Sequence, residues 1–325
     1  MRNEHLVSAL GGSHSFSGHP PDLVRPRQTC VQLRVSGWGF FQPAKCGNFN
    51  RVDRSVFVLL KSYLDGGNQA DSTRYDVLSL ASVTGEPDQW RAFEADWASN
   101  LAAHHAHWLH TTDALALKDP FTEAKGWNKV KVDAFISDCV GVIERHLIIP
   151  NFDNPKKPAS PGLFPHVVSV ALSDFVKARN VNPDVPNTAE EVCAVQSIFL
   201  VLERGRALGT HFYRLIFDQD ERFMGHILDR QNNRKARKHL RPLTGRITHI
   251  GQADMRDVPA LQMADLFAWS YSHKRRDPLY GWQRRLLRHR NWIDDSYSYD
   301  DLLKALPAVA DTVRSWGLPP RRPTR

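Results

Sequence analysis

The sequence predicts a single α/β domain that opens with a strand hairpin and continues as alternating helices and strands. Three observations predict it. Short apolar runs rich in β-branched and aromatic residues end in turn or acidic residues. Longer stretches place apolar side chains at helical spacing. The two kinds of segment interleave along the chain without an internal repeat. At 325 residues, 42% hydrophobic and 24% charged, the chain is long enough to bury one large core. A mean hydropathy of -0.43 and the lack of any apolar run of about 18 residues exclude a membrane-spanning helix, so no membrane partner is expected.

Residues 1–53 stand apart. They mix Gly, Ser, Pro and His, as in Gly11-Gly12-Ser13-His14, without a sustained period, and read as a disordered or loosely attached arm. Cys30 to Phe41 is at most a weak hairpin. The domain itself is assigned to residues 54–318, and residues 319–325 form a basic, proline-rich tail that cannot continue a helix.

Within the domain, Ser55 to Asp65 is an apolar strand ending in Asp65-Gly66-Gly67-Asn68, which is turn chemistry. Tyr75 to Val83 is the second strand of a hairpin. Asp88 to Leu101 puts Trp90, Phe93, Trp97 and Leu101 on one helical face, and Glu86-Pro87-Asp88 supplies its start. Trp108 to Leu117 reads as a short strand and Asn128 to His146 as a helix. Asp153 to Pro165 is a proline-rich loop, Val167 to Phe175 a strand, and Thr188 to Leu208 a long helix. Phe212 to Phe217 is a strand met at once by Asp218. A helix over Arg222 to Asn232, a strand over Ile247 to Ile250 and a mostly apolar helix over Ala260 to Tyr271 complete the pattern.

Three acids stand out. Asp65 and Asp218 each close an apolar strand, where an aspartate also serves as an ordinary turn or cap residue. Asp265 sits among Leu261, Met263, Ala264, Leu266, Phe267, Ala268 and Trp269, so its helix is apolar on nearly every side. A buried carboxylate must be paired with a cation or coordinate a metal, because burial alone costs several kcal/mol. Taken together, two strand-end carboxylates and a third from a later helix can converge on Mg²⁺, or Mn²⁺, which prefers oxygen ligands and retains several waters. Such a pair of ions activates water and stabilises a leaving oxygen in phosphodiester hydrolysis.

Several blocks resemble the DUF3800 family, in the same order along the chain. They are Lys61-Ser62-Tyr63-Leu64-Asp65-Gly66-Gly67, His110-Thr111-Thr112-Asp113, Gly126-Trp127, Phe217-Asp218-Gln219-Asp220-Glu221-Arg222-Phe223, and Leu261-Gln262-Met263-Ala264-Asp265-Leu266-Phe267-Ala268-Trp269. The likeness spans about residues 55 to 275. It implies an RNase H-like mixed sheet flanked by helices, with extra helices toward the C-terminus, and a nuclease-type metal site. Gly66 departs from the pattern, since many members have Glu there.

Other signals qualify this reading. His110 and Asp113 lie close enough in sequence to form a pair that orients water or contacts a phosphate, and they also read as plain polar residues at a strand edge. Glu221 and Asp113 are candidates for a fourth ligand or a water-orienting role. The histidines at 104, 105, 107 and 110 lack a cysteine or acid at zinc-site spacing. The four cysteines, Cys30, Cys46, Cys139 and Cys193, are widely separated, which suits a reducing cytoplasm.

Net charge of +8 favours an anionic partner, nucleic acid first. Two basic segments carry it: one with Arg234, Lys235 and Arg237, another with Lys274, Arg275, Arg284, Arg285 and Arg288, interleaved with Tyr280 and Trp282. Cations would hold phosphates while aromatics stack on bases. No phosphate-binding glycine loop and no nucleophile elbow is present. The expectation is a Mg²⁺-dependent nuclease acting on RNA or DNA. The alternative is a non-catalytic module that binds nucleic acid or a protein partner.

Overall fold

Alternation along the first strand sets the two faces of the sheet. In the computed structural model, which describes residues 59–67, 77–149, 162–181, 188–207, 212–219, 247–275 and 278–303, β1 (Leu59–Gly67) sends Leu60 and Leu64 to one face and Tyr63 to the other. Strand geometry requires this, because successive side chains point to opposite sides. β2 (Val77–Gly85) repeats it with Leu78 and Leu80 against Ala81 and Val83. Both strands bury apolar side chains on both faces, as expected of strands covered by helices on each side.

Among the described residues the sheet has six strands, in the order β5-β4-β1-β2-β3-β6. β1, β2 and β3 (Phe164–Ala171) form an antiparallel meander. β4 (Phe212–Asp218) adds to the other edge of β1 in parallel, and β5 (Ile247–Ala253) adds to β4 in parallel. The short β6 (Asp294–Tyr297) pairs in parallel with β3. The chain is thus a mixed α/β structure whose sheet is flanked by helices on both faces.

On one face lie α1 (Pro87–Ala103), α3 (Lys129–His146), α6 (Pro259–Ser272) and α7 (Gly281–Leu287), with the short α2 (Thr111–Leu115) beside α6. Trp90, Phe93, Trp97 and Leu101 of α1 are buried as their spacing requires, and Trp90 Nε1 donates to the Lys61 carbonyl at 3.1 Å. Asn128 caps α3 by accepting from the Lys131 amide at 2.9 Å. On the opposite face, α4 (Leu172–Val181) and α5 (Ala189–Ala207) pack on Leu64, Leu80, Val168, Val170 and Leu215. A single turn, α8 (Arg290–Ile293), leads into β6.

The sixth helix is the centre of the first layer. Every residue from Ala260 to Ser272 is buried. The helix lies on β1, β2 and β3 and is covered in turn by α1, α2 and α7. It crosses the strands obliquely. Just before its start, the Met255 amide meets Asp218 at the end of β4. Near its end Ser79 of β2 bonds the Ala268 carbonyl and the Ser272 hydroxyl, and beyond it Lys274 reaches Ser169 of β3.

Two expected elements differ. Trp108 to Leu117 is not a strand: Trp108 to His110 join no strand, and Thr111 to Leu115 form α2. The amides of Leu109 and Thr111 are taken by side-chain acceptors on α6, so no strand ladder satisfies them. The strand over Val167 to Phe175 ends at Ala171, because Leu172, Phe175 and Ala178 recur at helical spacing and pack together as α4. β6 was not foreseen; its acidic sequence hides an edge strand. Residues 1–53, the helix over Arg222 to Asn232 and the tail at 319–325 lie outside the described residues.

Close approach of α6 to β1 depends on Gly67, whose added Cβ would fall 2.4 Å from the Ser272 hydroxyl and 2.9 Å from the Ala268 carbonyl oxygen. The hydroxyl can rotate, but the helix backbone cannot. Gly67→Ala is expected to destabilise the fold by about 1–3 kcal/mol through overpacking. Urea melts that show no loss would mean the helix does not press on β1 here.

Candidate active site

Asp65 and Asp218 come together through strand register. Leu64 pairs with Phe217 across the parallel β1–β4 ladder, so the next residue on each strand, Asp65 and Asp218, are neighbours. Adjacent strands lie about 4.7–4.9 Å apart. Both point to the α6 face. Asp65 shares it with Tyr63 and Gly67, and Asp218 shares it with Ile216, while Leu64 and Phe217 point away. Both carboxylates are buried. Asp65 Oδ1 accepts from the Gly66 amide at 2.9 Å, and Asp218 Oδ1 from the Met255 amide at 3.2 Å.

Asp265 reaches the same region from above. It lies along α6 between the Met255 end, which touches Asp218, and Ala268, which meets β1 near Gly67. Its side chain is buried and Oδ2 accepts from the Thr111 amide at 2.7 Å. Among the described residues no Lys or Arg pairs with it. Burial raises its pKa above the usual carboxylate range, opposed by the nearby His110 and by the Thr111 amide. Among the described residues, the groups that act on Asp265 are a backbone donor and, electrostatically, an imidazole, in place of the lysine or arginine salt bridge that the sequence left open.

His110 caps α2 at the edge of this cluster. Its Nδ1 lies 2.6 Å from Asp113 Oδ2, and both side chains are partly exposed. Burial alone would lower its pKa, but Asp265, the hydrogen bond to Asp113 and Asp218 together raise it. His110 therefore lies within electrostatic range of two of the three acids and is positioned by the fourth. Trp108 stacks alongside it at 6.1 Å between ring centroids, and Arg256 stands over the other ring at 5.8 Å.

The structure thus gathers Asp218, Asp265, His110 and Asp113, with Asp65 beside Asp218. Among the described residues, however, no three His, Cys, Asp or Glu side chains are already set as a metal cage. Glu221, Arg234, Lys235 and Arg237 lie outside the described residues.

The second basic segment is partly engaged elsewhere. Lys274 Nζ donates to Asp294 Oδ2 at 2.8 Å and also bonds Ser169 and Ser296, fastening β6 to β3. Arg285 and Arg288 both pair with Glu144 of α3, at 2.5 Å and 2.7 Å. Arg275 and Arg284 are exposed.

One residue at the site escaped the sequence reading. Gln262, 1% exposed, accepts from Trp97 Nε1 and the Leu109 amide and donates to the Met255 carbonyl. The signal was available: it is a polar residue one helical turn before Asp265 in the same apolar helix, and the reasoning that singled out Asp265 applies to it equally. Compared with protein-family models, curated proteins and solved structures, the chain matches none.

The raised pKa of His110 has a defined sign. Its folded value lies above the ordinary 6.5, so the protonated imidazole stabilises the fold; that contribution is full below about pH 6.5 and fades as pH rises through the folded value. With a chelator present, His110→Gln is expected to lower the melting temperature more at about pH 6 than at about pH 9. An equal loss at both would show that Asp265 and Asp218 do not hold the proton.

Proposed function

We propose that this chain is an RNase H-like domain of the DUF3800 kind that hydrolyses phosphodiester bonds in RNA or DNA, with Mg²⁺ or Mn²⁺ as its metal. One observation carries the reading: Asp65 and Asp218 sit side by side on adjacent parallel strands, on the face where α6 delivers the buried Asp265. The sheet adds support, being an antiparallel meander extended in parallel from its first strand, as in RNase H-like folds.

The donor set fits the proposed ion. Asp65, Asp218 and Asp265 offer hard carboxylate oxygens, and Asp265 is a buried acid with no Lys or Arg partner among the described residues. The metal would activate water and stabilise the leaving oxygen. The other groups have separable tasks. Asp113 occupies Nδ1 of His110 and leaves Nε2 to orient water or carry a proton near the scissile phosphate. The buried walls limit water around the acids and strengthen their electrostatic effect. Exposed Arg275 and Arg284 remain for phosphate contacts, whereas Lys274, Arg285 and Arg288 are engaged in ion pairs within the chain. The absence of a ready cage among the described residues favours a second reading, a non-catalytic binding module that keeps the fold.

Asp265→Asn separates them because it preserves volume and removes only charge. In chelator at about pH 8 the variant is expected to melt at or above the wild-type temperature, since a buried charge has been removed. Mg²⁺ or Mn²⁺ should raise the melting temperature of the wild type and not of the variant, and metal-dependent cleavage of a small RNA and DNA panel should fall to background. Destabilisation by roughly 3–5 kcal/mol, as for a broken buried pair, with no metal effect on the wild type, would overturn the reading.

A further inference from the structure

We infer that Gln262 is a positioning residue that holds the two loops flanking the carboxylates in one arrangement; this rests on the metal-dependent reading of that site. The Gln262 side chain is fully inside the protein and nearly all of its hydrogen-bonding capacity is used. Oε1 accepts from Trp97 Nε1 at 2.8 Å and from the Leu109 amide at 3.0 Å. Nε2 donates to the Met255 carbonyl at 2.9 Å.

Both loops continue directly into the acids. Leu109 precedes His110 and Thr111, and the Thr111 amide binds Asp265 at 2.7 Å. Met255 is held by Gln262 through its carbonyl while its amide binds Asp218 at 3.2 Å. One side chain therefore fixes the donor to Asp265, the donor to Asp218 and the base of His110. Gln262 lies on α6 three residues before Asp265, so the helix that supplies one acid also sets the surroundings of the others.

The chemistry requires an amide. A carboxylate could accept from Trp97 and Leu109 but could not donate to Met255. A methionine of similar length could do neither. Outer groups of this kind orient ligands without touching the metal, and their loss costs about 10–100-fold in metal affinity or activity.

A purely structural glutamine would lower stability and leave the metal response alone, so the test needs a stability control. Full-length wild type, Gln262→Met, Gln262→Glu and the core variant Ile143→Ala, whose buried side chain belongs to α3, a helix that carries none of the proposed ligands, are compared in melts with increasing Mg²⁺ or Mn²⁺ and in the cleavage assay. For Gln262→Met the metal concentration giving half the stabilisation should rise, and the cleavage rate at saturating metal fall, by about 10–100-fold. Ile143→Ala should lose stability and keep both values. Gln262→Glu, which retains two of the three bonds, serves if the methionine variant does not fold, and should show the same direction. Gln262 variants that match Ile143→Ala in metal response overturn the inference alone. A wild type with no response to metal overturns the carboxylate reading and this inference together.

Discussion

A helix covered on every side cannot satisfy a polar side chain with water, and much of this fold is arranged around that constraint. α6 carries Asp265 and Gln262 into a layer between the sheet and α1, α2 and α7. An unsatisfied group there would cost about 1–3 kcal/mol, more for a charge. Most partners come from elements distant in sequence, the Thr111 and Leu109 amides and the Trp97 indole, and one, the Met255 carbonyl, from the loop just before the helix. Each of these bonds also fixes a loop. The segment from Leu109 to Leu115 turns into a helix where it does because its first amides point into α6, and the chain after β5 is tied to both Gln262 and Asp218. Packing and polar satisfaction act here as one requirement.

Close packing of α6 on β1 depends in turn on a residue without a side chain. Gly67 lies two positions beyond Asp65 on the same face and admits the helix backbone. The same glycine that reads as turn chemistry in the sequence is, in the fold, the contact that lowers α6 onto the strand carrying the first acid.

Most of the architecture was legible from periodicity. Strands with β-branched alternation and helices such as Pro87–Ala103, with Trp90, Phe93, Trp97 and Leu101 on one face, follow from local spacing alone. Legibility failed where distant polar groups decide the conformation, as at Thr111–Leu115, and where an acidic stretch, Asp294–Tyr297, becomes a strand by pairing with β3. The acids were visible because they stand in apolar surroundings. Their adjacency was not, since the register that places Asp65 beside Asp218 arises from a parallel pairing between segments far apart in the chain. The basic segment was legible only as charge, because a sequence does not reveal that Glu144 takes up two of its arginines and Asp294 its lysine.

The strand pairing at β3 has a consequence for how the protein behaves at high concentration. Left bare, β3 would offer a long, strongly apolar row of open amides and carbonyls, a template on which a second molecule could lengthen the sheet. The four residues of β6 pair with Val167 to Val170 of that row, with the sequence Asp294-Asp295-Ser296-Tyr297. Lys274 neutralises Asp294 from within, and His166 contacts Asp295, whose side chain stays half exposed. Among the described residues the outermost strand on this side is therefore short and acidic, and its half-exposed Asp295 stands where a second copy would need a flat apolar ribbon. A feature of four residues so combines pairing with charge, the combination by which edge strands resist joining another sheet.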